Sequence, residues 1–386
     1  MENQVALGKE NNAGVLYVAF ELSQKKWKLG FGDGKAPQVR QVTIKAGDLE
    51  ACQQEIGKAK QRFGLDESAA VRSCYEAGRE GFWLHRALEA MGIGNMVVDA
   101  SSIEVNRRQR RAKTDRMDVE KLVRQLVRYW RGEHNVWSVV RVPSPEAEDS
   151  RQLHRALEVL KEERKQHRVR IQSLLFTQGI DVKVGPKFLQ KLEQWRCWNQ
   201  EPIPAQMKQR IQDEYHRLQL VGVQIREVKA KQAEQLSAAQ KNVALEKVRR
   251  LQQLMGIGLG SSWIFVMELF GWRQFQNRRE LAVAVGLTPT PYNSGDSARE
   301  QGISRSGNRR IRKLLIEIAW AWLRFQPNSK LSRWYNERFA KGGKRMRRIG
   351  IVALARRLLI DLWRYLEAGT VPEGAQLKAS ANSSTR

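Results

Sequence analysis

The order of apolar runs across residues 15–98 constrains this chain more than any other feature. Three β-prone runs come first, at 15–20, 27–31 and 39–44, and a turn with two glycines and a proline at 32–37 joins the last two. The first run is apolar at every position, as a buried strand requires, and the third alternates apolar with polar residues. Leu49, Cys52, Ile56 and Ala59 then recur at helical spacing within 48–63. A strand at 69–75, a helix at 81–91 and a strand at 95–98 follow.

Three strands, a helix, then strand–helix–strand is the order of a ribonuclease-H-like α/β domain. That fold sets carboxylates at strand ends and on a late helix. Here Glu21 closes the first strand and Glu76 the fourth. The late helix follows a run of five cations, Arg107, Arg108, Arg110, Arg111 and Lys113, and opens on Asp115 and Asp118. A start at Thr114 or Asp115 puts both aspartates on one face, since residues three apart are helical neighbours. Alone, the pair reads as an acidic helix start beside a solvated basic loop. With Glu21 and Glu76 it makes four carboxylates, which repel one another unless a divalent cation neutralises them. Mg²⁺, or Mn²⁺ in its place, suits oxygen ligands, and a two-metal site stabilises both oxygens of a phosphate displacement.

The rest of the chain is helical. Leu122, Val123, Leu126 and Val127 continue the late helix, and the Val-Pro-Ser-Pro run at 142–145 marks a domain boundary. Two coiled-coil-like seams follow, Leu153, Leu157, Leu160, Arg164, His167, Ile171, Leu174 and then Ile211, Glu214, Leu218, Val221, Ile225, Val228. An irregular bend at 178–204 joins them as antiparallel arms. The seam can close within one chain or between subunits, and the intersubunit role is favoured. Residues 254–263 read as helix, Gly-x-Gly turn, helix, the spacing of a helix–hairpin–helix whose glycines admit a phosphate. A plain helix turn fits the same residues. A helix at 277–285 leads to a Pro-rich irregular loop at 286–295 that exposes Ser294. The helix at 309–325 carries Arg309, Arg310, Arg312 and Lys313, and a second basic loop at 341–348 carries Lys344, Arg345, Arg347 and Arg348. A last apolar helix spans 349–366.

The expected organisation is α/β plus all-α. It comprises a flexible arm at 1–14, a metal-binding α/β domain at 15–141, and a helical coiled-coil linker and dimerisation segment at 142–240. A mainly helical domain at 241–368 and a disordered polar tail at 369–386 follow.

With 68 Lys and Arg against 41 Asp and Glu, the formal charge is +27. Such a charge opposes compaction unless an anionic partner offsets it, and nucleic acid is the default partner. Three scattered cysteines form no disulfide or metal pattern, which fits a reducing cytoplasm. No apolar run reaches the roughly 20 residues of a membrane span.

The motifs and their order resemble a family. Glu76, Ala77 and Gly78, then the Lys-Thr-Asp-Arg-Met-Asp run at 113–118, look like the N-terminal signatures of the DEDD transposases of bacterial insertion sequences. These are the insertion-sequence-110 class, with Piv-type DNA invertases among their relatives. Met-Gly-Ile-Gly at 255–258, Gly-Leu-Thr-Pro at 286–289, Asn293 to Gly295, Gly302 to Ser304, Gly307 with Asn308, and Arg312 resemble the C-terminal half. The resemblance covers about residues 15–325. It implies a RuvC-like domain, a coiled-coil linker and a transposase domain with an essential serine. Glu21, Glu76, Asp115 and Asp118 match the four metal-binding carboxylates, and Ser294 matches the serine. The family pattern has Asp where this chain has Glu21, whose side chain reaches one methylene further; Asp33, in a turn, is a poorer substitute. On its own Asn293 to Gly295 reads as a turn, and only the resemblance makes Ser294 a nucleophile.

The resemblance implies a transposase or site-specific recombinase that joins donor and target DNA, guided by a structured RNA from its own element, as a dimer or tetramer. Arg299, Arg305, Arg309 and Arg312 are expected to stabilise charge on the transferring phosphoryl group. The three basic stretches, with Arg310 and Lys313, are expected on nucleic-acid backbone. Two rivals are a metal-dependent junction nuclease in which water attacks, and a non-catalytic nucleic-acid-binding protein.

Overall fold

A computed structural model describes residues 14–103, 115–238, 242–294 and 297–378. Residues 1–13 of the expected arm at 1–14, the basic run from Arg107 to Lys113 and residues 379–386 of the expected tail at 369–386 lie outside the described residues. So do the side chains of Asp115, Ser294 and Arg299. The chain divides into two compact units, Met1–Val142 and Pro143–Arg386.

The first unit is a mixed five-stranded sheet with helices on both faces. Its strands are β1 (Val15–Leu22), β2 (Lys26–Gly32), β3 (Arg40–Lys45), β4 (Ala70–Glu76) and β5 (Gly94–Val98), in the order β3-β2-β1-β4-β5. β1, β2 and β3 pair antiparallel, whereas β4 runs parallel to both β1 and β5. The reason is connection length. Short turns return the first strands on themselves, while parallel neighbours need helical crossovers. These are α1 (Leu49–Arg62), whose N-cap Asp48 accepts from the Ala51 amide at 2.9 Å, and α2 (Trp83–Ala90).

Strand alternation divides the sheet into two cores. Leu16, Val18 and Phe20 pack with Trp27, Leu29, Cys52, Ile56, Leu84 and Leu88 under α1 and α2. Tyr17, Ala19 and Cys74 pack on the other face with Leu122, Val123 and Leu126 of α3 (Asp115–Trp130). Each fully buried side chain of this size contributes about 1.5–3 kcal/mol. α3 lies close because β2 offers glycine beneath it. A Cβ on Gly30 would stand 2.2 Å from Val119, and one on Gly32 3.0 Å from Val123.

Among the described residues the second unit is helical apart from one hairpin. α4 (Pro145–Asp149) and α5 (Gln152–Phe176) lead through α6 (Phe188–Leu192) to α7 (Ala205–Ala238). α5 and α7 pack antiparallel. Ile171 and Leu175 meet Ile211 and Tyr215 near the bend, and Leu157 meets Val221 and Ile225 further on. At these positions the seam closes within the chain. Its polar centre is one cluster, in which buried Glu214 accepts from His167 at 2.6 Å, Arg217 at 3.0 Å and Arg170 at 3.3 Å. Burial pushes the Glu214 carboxyl up, but the bonds from His167 and Arg170 prevail and hold it below its ordinary value.

The remaining helices are α8 (Val243–Gln252), α9 (Leu259–Phe265), α10 (Arg278–Ala284), α11 (Arg309–Phe325), α12 (Lys330–Tyr335) and α13 (Lys344–Ala368). They close around Trp263, Phe270, Leu315, Trp322 and Leu358. Three expectations change here, and a fourth residue group, the Gly-x-Gly turn, joins two helices as expected. The 286–295 loop is strand for most of its length, pairing β6 (Pro289–Ser294) with β7 (Ser297–Ile303). The basic loop at 341–348 is in its second half the first turns of α13, N-capped by Gly343. Residues 370–378, expected as disordered tail, are tied down, Lys378 donating to Gln253 O at 2.7 Å and Lys330 to Glu373 O at 2.9 Å. In the Gly-x-Gly turn, Gly256 (φ +87°) lies against Phe325, and the Met255 and Ile257 amides donate to Gln376 O and Leu254 O. Those two donors are spent inside the fold, and the second glycine, Gly258, stands at the N-cap of α9.

Candidate active site

Glu21 and Glu76 come together for a topological reason. β1 and β4 are parallel neighbours with Phe20 opposite Tyr75, so the next residue on each strand is a glutamate. Both line a cleft of about 290 Å³ with Ser23, Gln24, Arg79 and Glu80. Parity gives the face. Glu21 alternates with Tyr17 and Ala19, and Glu76 with Cys74, so both belong to the face that α3 covers.

The direction of α3 brings its start to the same end of the sheet. Val123 lies over Gly32, and Val119 over Gly30. Gly32 pairs with Tyr17, Gly30 with Ala19 and Lys28 with Glu21. One helical turn of about 6 Å matches one two-residue step of about 6.6 Å along the strand. A further turn back from Val119 reaches Asp115, at the level of Glu21. Asp118 is half-buried in the turn between them. Among the described residues no three carboxylate, histidine or cysteine side chains gather closely enough to hold a metal ion, and the Asp115 side chain is not among those described. The donors that the backbone assembles are oxygen donors, the chemistry that Mg²⁺ and Mn²⁺ take.

In the second unit Ser294 ends β6, opposite Ser297. The base of this hairpin is held rigidly by the residues that carried the resemblance. Ser304 donates to Thr288 O at 2.9 Å, Arg305 to Gly286 O at 3.2 Å and Asn308 to Ala284 O at 2.9 Å. Gly286 (φ +67°) and Gly307 (φ +77°) permit this approach, because a Cβ on Gly286 would stand 1.8 Å from Ser306 O and one on Gly307 2.3 Å from Ala284 O. Arg305 has φ +57°, rare for a side-chain-bearing residue and tolerated where surrounding structure over-determines it.

The expected basic residues divide by role. Arg312 Nη1 donates to Val285 O and Ser306 O, both at 3.0 Å, which fastens this side chain to the hairpin base. Burial, with the Arg305 and Arg309 charges, lowers its pKa. Arg310 is exposed and pairs with Glu158 at 2.8 Å. Arg305, Arg309, Lys313, Lys344, Arg345, Arg347 and Arg348 are exposed. Neither α11 nor α13 has an acid in its first turn, where the helix dipole favours one. Both helices place cations at their positive ends.

One cluster was missed from the sequence. Glu268, in a π-helical turn (Val266–Phe270), is buried. Its carboxylate accepts from His154 Nε2 at 2.9 Å, Arg155 Nε at 2.9 Å and Asn308 Nδ2 at 3.1 Å. Asn308 Oδ1 in turn caps α11, accepting from Arg310 and Ile311 amides at 3.0 and 3.2 Å. The available signal was a lone carboxylate in an otherwise apolar segment.

The model of the transposase IS116/IS110/IS902 family matches residues 248–335. These include the hairpin, its glycine clasp, Glu268 and Asn308. A putative transposase y4rJ of Sinorhizobium fredii is 39% identical over 381 residues, 95% of each chain. A second putative transposase of that organism, y4qE, is 28% identical over 73% of this chain and 65% of its own length. The transposase for insertion sequence element IS1111A of Coxiella burnetii is 33% identical over 34% of this chain and 36% of its own. With 39% identity sustained across 95% of both chains, this chain belongs to the IS116/IS110/IS902 family of transposases.

Proposed function

We propose that this transposase cuts and rejoins DNA through the Ser294 hydroxyl, with a divalent cation held by Glu21, Glu76, Asp115 and Asp118 of a RuvC-like DEDD domain. The observation that carries the reading is the meeting of Glu21 and Glu76 on one cleft, on the sheet face that the Asp115 helix covers. Mg²⁺ bound there would offset charge on the attacking and leaving oxygens. The Ser294 oxygen bonds to phosphorus as a sugar–oxygen bond to phosphorus breaks, and the departing sugar oxygen takes up a proton. The serine phosphodiester conserves the bond until a hydroxyl of the partner strand attacks it and releases Ser294. Arg305 and Arg309, exposed near the hairpin base, balance the phosphoryl charge. A guide RNA and a second copy of the chain would supply what the reaction still needs, choice of site and a second DNA end. The net charge of +27 supports several nucleic-acid contacts.

The test is a trapped adduct. The protein is incubated with Mg²⁺, phosphorus-labelled donor and target DNA, and RNA transcribed from the sequence flanking its gene, then denatured. Label is expected on the 44.5 kDa chain, in the peptide that contains Ser294. Recombinant product with no labelled protein at any time would show that water attacks. A separate measurement addresses the carboxylates. Glu76→Gln is expected to weaken Mg²⁺ binding, read by calorimetry, by at least the roughly 10–100-fold that losing a supporting group costs. Unchanged affinity would remove Glu76 from the ligand set.

A further inference from the structure

We propose that a groove on the second unit, bounded by α10, the hairpin base, α12 and α13, seats single-stranded DNA. The groove holds about 1560 Å³. Ten arginines and lysines line it against two carboxylates, Asp361 and Glu373. Neither acid offers much opposition. Glu373 is paired with Lys330 at 2.6 Å, and burial pushes the Asp361 carboxyl up toward its neutral form. The cations include three arginine doublets or their members, Arg278 with Arg279, Arg348, and Arg356 with Arg357. Lys344 and Arg345 stand in the first turn of α13, where an anion relieves their conflict with the dipole.

The floor decides the form of the nucleic acid. Ile349, Val352 and Ile360 line the groove together with the ring of Trp334, and Ile349 is 45% exposed. A duplex presents phosphates and polar groove edges, which gain nothing from an apolar floor. Unpaired bases present flat faces that do, while their phosphates meet the cationic rim. The volume suits a short site, on the order of four nucleotides. The choice of DNA rests on the reading of Ser294 above. Pro289, Gly302, Ile303 and Arg305, at the base of its hairpin, form one wall, so a strand leaving the cut phosphate enters here.

The experiment is fluorescence anisotropy on the full chain with a labelled mixed-sequence 12-nucleotide single strand of DNA. The same sequence as duplex DNA and as RNA, and an oligoglutamate peptide, serve as competing probes. Single-stranded DNA is expected to bind tightest. Arg345→Ala with Arg348→Ala should weaken it about tenfold and make the log K against log salt slope shallower by about 1.4. Ile349→Asp should weaken the single strand about tenfold and leave the duplex unchanged. Lys161→Ala with Lys165→Ala, the same charge loss on α5, should change neither. Tighter groove-dependent binding of RNA, duplex or peptide overturns the proposal, as does single-strand binding indifferent to all groove variants. The measurement needs no cleavage. Groove binding without a Ser294 adduct sinks the serine reading alone, and an adduct with no groove effect sinks the groove alone.

Discussion

Ser294→Ala is expected to abolish recombination, a loss of about 10³-fold or more, while donor DNA still binds. The oxygen that would form the bond to phosphorus is then gone. Ser297 pairs with Ser294 across the hairpin and is the nearest rival by register. The Ser304 and Ser306 hydroxyls lie 3.1 Å apart and bond each other at the clasped base. Ser297→Ala, Ser304→Ala and Ser306→Ala are therefore expected to keep activity within about tenfold, as changes outside the reacting atoms do. Recombinant product is counted by sequencing the junctions formed on donor and target plasmids. Wild-type yield from the Ser294→Ala protein would end the covalent mechanism. A full loss on Ser297→Ala, with Ser294→Ala active, would move the nucleophile across the hairpin.

These residues differ in how far the sequence alone could reach them. The first unit was legible because its periodicities are local. Residues 15–20 and 69–75 read as buried strands, and helical spacing marked α1. Strand ends then predicted Glu21 and Glu76, and strand order made them neighbours. The hairpin was illegible for an equally local reason. Prolines at 289 and 291 read as loop, yet a strand without central ladder partners tolerates them, and among the described residues β6 pairs only with β7. The basic run at 344–348 read as loop because glycines precede it and no acid opens the helix, although Gly343 caps it. The hold of Arg312 on the hairpin base was illegible too, since only the folded chain turns its Nη1 onto the Val285 and Ser306 carbonyls. The α5–α7 seam carried the right residues and no information on which copy of the chain would cover them. The groove was hidden for the same reason: its arginine doublets are scattered from residue 278 to 357 and meet only in the fold.

Glu268→Ala is expected to destabilise the second unit by about 3–5 kcal/mol, the cost of removing one partner from a buried charged cluster. His154 is 2% exposed and Glu268 4%, so neither can turn to water when its partner is lost. Arg155 is about a third exposed and recovers some hydration, which favours the lower end of that range. Burial by itself would push the Glu268 carboxyl up; the bonds from His154 and Arg155 overcome it and hold the group well below its ordinary value of 4.5. A carboxyl depressed in the folded state stabilises above its unfolded pKa, and that contribution is lost as pH falls below about 4.5. The gap in unfolding free energy between wild type and Glu268→Ala, from urea titration, should therefore be widest at neutral pH and narrow under acid. Asn308→Asp separates the cluster from simple helix capping. Aspartate caps a helix as well as asparagine does, so a capping role alone predicts no loss. The Asn308 amide, however, donates to Glu268 at 3.1 Å, and a carboxylate there would meet a second carboxylate in a buried site. Asn308→Asp is expected to cost more than Asn308→Ala, which gives up about 1 kcal/mol of capping and leaves Glu268 to His154 and Arg155. If Asn308→Asp is instead neutral, Glu268 does not hold the start of α11, and the hairpin it adjoins is fixed by the glycine clasp without it.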